Sequence, residues 1–471
     1  MESDNTNTRI IESRMNLFNE FIDISSLDKK EYQYDGVKWC VANEIDNVMG
    51  IRGGFIADEM GLGKTITIIG LMVANYFKRT LIILPPILIE QWYQQIYKNT
   101  GHKAFIYHGR NKKTATLDKL QSAPIVLTTY AAIAVNKKKL HGCVLHELEW
   151  SRIVFDEAHH LRNKKSEFIG AKMLRSKIKW MVSGTPIQNR RSDFNNLCNL
   201  IGMPKSFYMD PMNYETIYKH FILKRTKKQV GISIPDFKVE NTTITWNNNN
   251  EKLLSQNIHN AVGAFTQFKK LVAIMRARQS CILPKLVEPY LIKNGVYNAD
   301  TDTNMNMNNL VKDALISTSK LDKVLETLLN NKGNGNGKIV FCHYKHEIDE
   351  IEMRLKANHM SVAVIDGRIQ KKTRDAIISG SNEVIILQIQ TGCEGLNLQE
   401  KYSEVYFISP NWNPAIEDQA IARCHRIGQT KDVVVYRFIM EDFVEKDNNI
   451  TNTIESYINN IQINKRGLYL C

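Results

Sequence analysis

Short aliphatic runs bounded by turn residues alternate with helix-patterned stretches through the first half of the chain, at Gly53–Ala57, Thr80–Leu84, Ile125–Thr128, Arg152–Phe155 and Trp180–Ser183. Runs that are apolar on both faces predict strands buried on both faces, the habit of parallel sheets covered by helices. The pattern recurs after a gap, at Lys338–Cys342, Val362–Ile365, Val384–Leu387, Glu404–Ile408 and Val433–Arg437. Two α/β lobes are therefore expected. Asn- and Gly-rich tracts at Asn247–Asn250, Asn298–Asn309 and Asn330–Gly337 surround a helix-patterned segment from Leu253 to Arg278, and the last tract reads as a flexible joint. The expected organisation is an N-terminal extension over 1–26, a first lobe over 27–240, a helical, Asn-rich insertion and linker over 241–317, a second lobe over 318–447 and a short tail over 448–471.

Composition narrows the class. A chain of 471 residues, 43% of them hydrophobic, can bury two or more sizeable cores, which excludes disorder throughout. Eight cysteines are scattered without a C-x-x-C pair and no apolar leader precedes Met1–Asn7, so a reducing, intracellular setting without a zinc module is expected. No apolar stretch approaches the roughly 20 residues that cross a bilayer, so no membrane partner is expected. Sixty-two Lys and Arg against 49 Asp and Glu leave a net charge of +13, which suits a polyanionic partner without telling DNA from RNA or acidic protein.

Two short segments carry candidate chemistry. Asp58-Glu59-Met60-Gly61-Leu62-Gly63-Lys64-Thr65 stands between an apolar run and the helix-patterned Ile66–Phe77. Triphosphate oxygens need many donors and positive charge. Successive N–H groups at a glycine turn, a helix N-terminus, the Lys64 ammonium and a Mg²⁺-binding hydroxyl on Thr65 answer that need. Asp58 stands where the usual pattern has glycine. Farther on, the strand-like Trp150–Phe155 ends in Asp156-Glu157-Ala158-His159. In a phosphate-transfer site Asp156 would hold Mg²⁺ and Glu157 would orient and deprotonate the attacking water. Either carboxylate alone would suit an ordinary helix start.

A motor also needs charge supplied from a second lobe, and Gln419 to Gln429 contains Arg423 and Arg426, three apart and so expected on one helix face. Either could serve as an arginine finger, worth roughly 10³ to 10⁵ in rate.

With these segments the chain resembles the Swi/Snf-type ATPases of the second helicase superfamily, which includes chromatin remodellers and related double-stranded-DNA translocases; compact relatives occur in large DNA viruses. The resemblance runs from about Leu27 to Glu445. It implies two RecA-like lobes, each a mainly parallel sheet flanked by helices, with ATP and Mg²⁺ as cofactors. Asp58 matches the family's own form of the loop, so Asp58, Glu59, Met60, Gly61, Leu62, Gly63, Lys64 and Thr65 are expected at ATP, with Gln33 of Tyr32-Gln33 on the adenine and Gln419 nearby. Ser183-Gly184-Thr185 resembles the segment that couples hydrolysis to the DNA side. Gln91-Trp92, Thr128-Thr129, Thr391-Gly392 and Trp412 resemble strand-end and loop segments that face nucleic acid. Cys393 and Glu394 depart from the residues usual in cellular remodellers.

The implied activity is a DNA-dependent ATPase that translocates along double-stranded DNA with little sequence preference and remodels protein–DNA complexes, working as a monomeric engine. Nucleosomes or RNA polymerase complexes are the further partners considered. The setting would be the nucleus, or host cytoplasm or virion for a viral protein. Strand separation, a transcription-associated role and an ATP-gated DNA-binding scaffold stand as alternatives.

Overall fold

A computed structural model of the chain describes residues 2–25, 27–46, 49–135, 142–184, 191–263, 267–298, 305–389, 396–444 and 450–468. The chain divides into two compact units, Met1–Ser233 and Ile234–Cys471.

The first unit is built on seven strands: β1 (Arg52–Ile56), β2 (Thr80–Leu84), β3 (Phe105–Tyr107), β4 (Ile125–Thr129), β5 (Glu149–Asp156), β6 (Arg175–Val182) and β7 (Ile222–Leu223). They lie in the order β3-β4-β2-β5-β6-β1-β7, and every pairing is parallel. All five residues of β2 are buried, as expected of a strand covered on both faces. The apolar runs become β1, β2, β4, β5 and β6; the short outer strands β3 and β7 have no such signature in the sequence. Side chains of the sheet feed two cores, one on each face.

Helix α1 (Glu2–Ile24) is more than an extension: Met15, Phe18, Phe21 and Ile22 are buried in the same core as α2 (Glu31–Ile45) and α3 (Lys64–Ala74). The approach is close at Gly70, where an added Cβ would lie 2.6 Å from the Phe18 ring and 2.9 Å from Val37. A fully buried ion pair ties α2 to the sheet. Glu44 accepts from Arg152 Nε and Nη2, Trp180 Nε1 and Asn75 Nδ2 at 2.5 to 2.8 Å.

The second unit carries β8 (Phe237–Ile244), β9 (Gly337–Cys342), β10 (Val362–Ile365), β11 (Val384–Gln388), β12 (Tyr402–Phe407) and β13 (Val433–Met440), in the order β10-β11-β9-β12-β13-β8 and again parallel throughout. Strand β8 differs from the expectation, which ended the first lobe at 240. It pairs residue for residue with β13, from Phe237 opposite Val433 to Ile244 opposite Met440. Its alternating polar residues, suited to an edge, hide it from a search for continuous apolar runs.

The segment expected as insertion and linker also differs. Helices Asn249–Gly263, Gln267–Ile282 and Met305–Ile316 share one core with β9, β11 and β13. The tract read as a flexible joint is a hydrogen-bonded turn. Asn331 donates to the Tyr406 and Tyr436 hydroxyls, and Asn334 and Asn336 both donate to Glu404. The tail is likewise structural: in the helix Ile454–Leu468, Glu455 forms a fully buried ion pair with Lys320 and accepts from the Met440 N–H. Among the described residues, no helix is long and apolar enough to cross a membrane. Two mainly parallel sheets, each flanked by helices, make the RecA-like architecture.

Candidate functional site

Strand β1 ends at Ile56, and the chain turns through Asp58–Gly63 before α3 begins at Lys64. Gly61 (φ 93°) and Gly63 (φ 81°) supply left-handed backbone that a side chain would strain. At Gly63 an added Cβ would also stand 2.7 Å from Gln33 Nε2. No side chain caps α3 at Gly63, so the first N–H groups of the helix point to an anion site. Lys64 Nζ donates to the Asp58 carbonyl at 2.8 Å. Gln33 is 7% exposed, and its Nε2 lies 3.5 Å from the Leu62 carbonyl, against the same turn.

Asp58 itself does something the sequence did not disclose. Its carboxylate is buried and accepts from the Arg225 N–H at 3.0 Å, Nε at 3.1 Å and Nη2 at 2.5 Å, while Arg225 Nη1 reaches the Tyr32 carbonyl. Glu59 accepts from the Lys227 N–H at 2.8 Å and pairs with its ammonium at 3.2 Å. Both acidic residues therefore brace the loop against Arg225 and Lys227. Two carboxylates on a loop expected to hold a triphosphate would repel it, and pairing with cations offsets that cost. The partners lie about 170 positions away, so no local pattern announces them.

Strand β5 delivers Asp156 and Glu157. Asp156 Oδ2 accepts from Trp92 Nε1 at 2.7 Å, Oδ1 accepts from the Glu157 N–H at 3.0 Å, and the Asp156 carbonyl accepts from the Tyr130 hydroxyl at 2.6 Å. Burial, and then the neighbouring Glu157, push the Asp156 carboxyl up to about 7 against partial compensation by Trp92 and Lys64. Glu157 sits in left-handed backbone, φ 51°. For a residue with a Cβ that conformation is strained. His159 Nδ1 lies 3.2 Å from Glu157 and 3.5 Å from Ser183 Oγ. The backbone N–H of Ser183 donates to Ile56, and an added Cβ on Gly184 would stand 3.4 Å from Lys64 Nζ. The start of the coupling segment thus lies beside both the Glu157–His159 pair and the lysine of the glycine turn. Thr185 lies outside the described residues.

The strand-end residues expected at DNA are otherwise engaged. Thr128 is fully buried and donates to the Tyr107 carbonyl at 3.0 Å. Thr129, 1% exposed, accepts from the Ala132 N–H and caps a short helix. Trp92, also 1% exposed, is held on Asp156. Strand β4 lies between β3 and β2, and both threonines on it are buried.

In the second unit the helix Pro414–Ile421 ends before the two arginines, with Ala422 at its cap. They are not on one helix face as expected; turns carry them, stapled by buried Gln429, whose Nε2 donates to the Tyr402 and Cys424 carbonyls. Arg426 donates to Asn397. Burial, and then the charge of Arg423, lower its affinity for a proton. Two crowded guanidinium groups suit an anion. Gln419 is buried, and among the described residues its Nε2 finds no partner. Trp412 is half-buried with its ring edge-on to Tyr457 at 6.4 Å. Thr391 and Gly392 lie outside the described residues.

A family model described as the SNF2-related domain matches residues 32–286, and one described as the helicase conserved C-terminal domain matches 319–428. The chain is 26% identical to the DNA excision repair protein ERCC-6-like of Bos taurus, across 88% of this chain and 40% of that protein. It is 28% identical to the ATP-dependent DNA helicase DDM1 of Arabidopsis thaliana, across 88% of this chain and 59% of that one. The chain therefore covers about two fifths of the length of the first of these relatives. A solved structure, the Sulfolobus solfataricus SWI2/SNF2 ATPase core in complex with dsDNA, aligns with TM-score 0.40 at 24% identity over 94% of this chain and 92% of that one.

Proposed function

The chain belongs to the SNF2-related family, whose model covers more than half of it, and on that footing we propose that it hydrolyses ATP in response to duplex DNA, translocates along the duplex and so remodels protein–DNA complexes. By family it is a helicase-like, ATP-hydrolysing enzyme. What the reading adds is the polymer acted on and the work done. It is supported most by the placing of Ser183 and Gly184 beside both the Glu157–His159 pair and the lysine of the glycine turn. The positive balance of the chain and the relatives named as DNA repair and DNA helicase proteins favour nucleic acid as the polymer.

In this reading the N–H groups opening α3 and the Lys64 ammonium hold the β- and γ-phosphates, with Gln33 against the base. Glu157 takes a proton from the attacking water, and Arg423, Arg426 and Gln419 act on the same triphosphate. Asp156 and Thr65 fit a Mg²⁺ ion, because a buried carboxyl that keeps its proton beside a second carboxylate is one whose charge crowding a cation relieves. When bound, Mg²⁺ neutralises phosphate oxygens. Trp412, with Thr391 and Gly392, is assigned to the DNA backbone, a contact that carries little sequence preference and strong salt dependence.

ATPase rate measured against duplex DNA, single-stranded DNA, RNA and nucleosomes tests the reading. Duplex-containing samples should accelerate turnover; a rate indifferent to all four would reject it. Glu157→Gln should lower turnover by about 10² to 10⁴ while ATP still binds. Triplex displacement without unwinding of a forked duplex separates translocation from strand separation.

A further inference from the structure

The loop Ser409–Asn413, which carries Trp412, is held largely through its backbone carbonyls. Arg278, 7% exposed, donates to the Ser409 hydroxyl at 3.2 Å and to the Pro410 carbonyl. Gln462 Nε2 donates to the Asn411 carbonyl at 2.5 Å and to Glu417 Oε1 at 2.6 Å. Lys465 Nζ donates to the Trp412 carbonyl at 2.7 Å. Three consecutive carbonyls thus accept from three side chains, two of them on the C-terminal helix Ile454–Leu468. Glu417 completes the clamp by accepting from the Asn411 N–H at 2.8 Å and pairing with Arg437 at 3.0 Å. Asn413 then caps the helix Pro414–Ile421, whose far end leads into Arg423 and Arg426.

A tight turn would satisfy these carbonyls within the loop. Their capture by outside side chains means the path of the loop depends on where the C-terminal helix lies. That helix is itself anchored by the buried Lys320–Glu455 pair, by Thr453 on the Met440 carbonyl and by His259 Nε2 accepting from the Ile454 N–H.

We propose that Gln462 and Lys465 are positioning residues: through the Asn411 and Trp412 carbonyls, the C-terminal helix sets the Trp412 loop in the geometry that engages duplex DNA. The inference rests on the DNA-stimulated ATPase reading above.

The experiment uses the full chain with Lys465→Met and Gln462→Met, which keep side-chain length and remove the donors, and Lys465→Arg, which restores one. Basal ATPase without DNA, the duplex concentration giving half-maximal stimulation, and its salt dependence are measured for each. The methionine variants should keep basal turnover, raise the half-stimulating concentration about 3- to 10-fold for Lys465→Met, as expected for one lost hydrogen bond, and at least as much for Gln462→Met, which loses two, and leave the log–log salt slope unchanged. Lys465→Arg should recover the wild-type value. Added to Trp412→Ala, either methionine change should have little further effect, since both act through one loop. Half-stimulating concentrations equal to wild type would overturn the proposal, and so would a salt slope reduced by about one, which marks Lys465 as a direct phosphate contact. If the wild-type enzyme ignores duplex DNA, the underlying reading falls and this one with it. If the wild type responds and the variants match it, this one falls alone.

Discussion

Asp156 and Glu157 show how one pair of neighbours divides a task by environment. Glu157 sits on strained backbone against His159, while Asp156 is buried against Trp92 and holds a proton up to about 7. A folded-state value raised above the unfolded one stabilises the fold at pH values below the unfolded value, and that contribution is lost as pH rises through about 7. Asp156→Asn should therefore match wild type in thermal stability near pH 4 and exceed it increasingly toward pH 8 when nucleotide is left out; parallel pH curves would contradict the burial argument. Cys143 offers a second test at this scale. Burial alone would raise its thiol, but the His146 Nδ1 at 3.4 Å and nearby donors bring it below the ordinary range, while burial drives Cys40, Cys198, Cys281, Cys342 and Cys424 upward. Iodoacetamide at neutral pH should label Cys143 before those five, read by peptide mass spectrometry.

At the scale of elements, the buried strands were legible because both faces are covered, so their residues form unbroken apolar runs: Thr80–Leu84 coincides with β2, and Val384–Leu387 falls within β11. The glycine turn and the carboxylate pair were legible because their chemistry is local. What escaped is distributed. Arg225 bracing Asp58, Trp92 donating to Asp156 and Gln462 holding Asn411 join positions far apart, and no window of sequence contains both partners. Asn-rich composition suggested looseness at 330–337, yet amides that find acceptors make a rigid turn. Helix α1 escaped because its apolar side only acquires meaning against α3. Gly70→Val should push Phe18 and Val37 off α3 and destabilise the first unit by about 1–3 kcal/mol, the usual cost of overpacking. Denaturant titration checks it.

At the scale of the whole molecule, each unit has its own fully buried ion pair, Glu44–Arg152 in the first and Glu455–Lys320 in the second. Removing one partner leaves an uncompensated buried charge, a loss of about 3–5 kcal/mol. Scanning calorimetry of Glu44→Ala and Glu455→Ala should lower different transitions, one per unit; a shift of the same transition by both would show a single cooperative body.

The placement of β8 has a consequence for the order in which the chain is made. Phe237–Ile244 leaves the ribosome nearly two hundred residues ahead of Val433–Met440, the strand it pairs with in the sheet. During that interval it is an orphan ribbon with unsatisfied amides on both sides, the kind of surface that recruits strangers. Lys238 and Glu240, paired at 2.8 Å along it, put charge where a stray strand would have to dock.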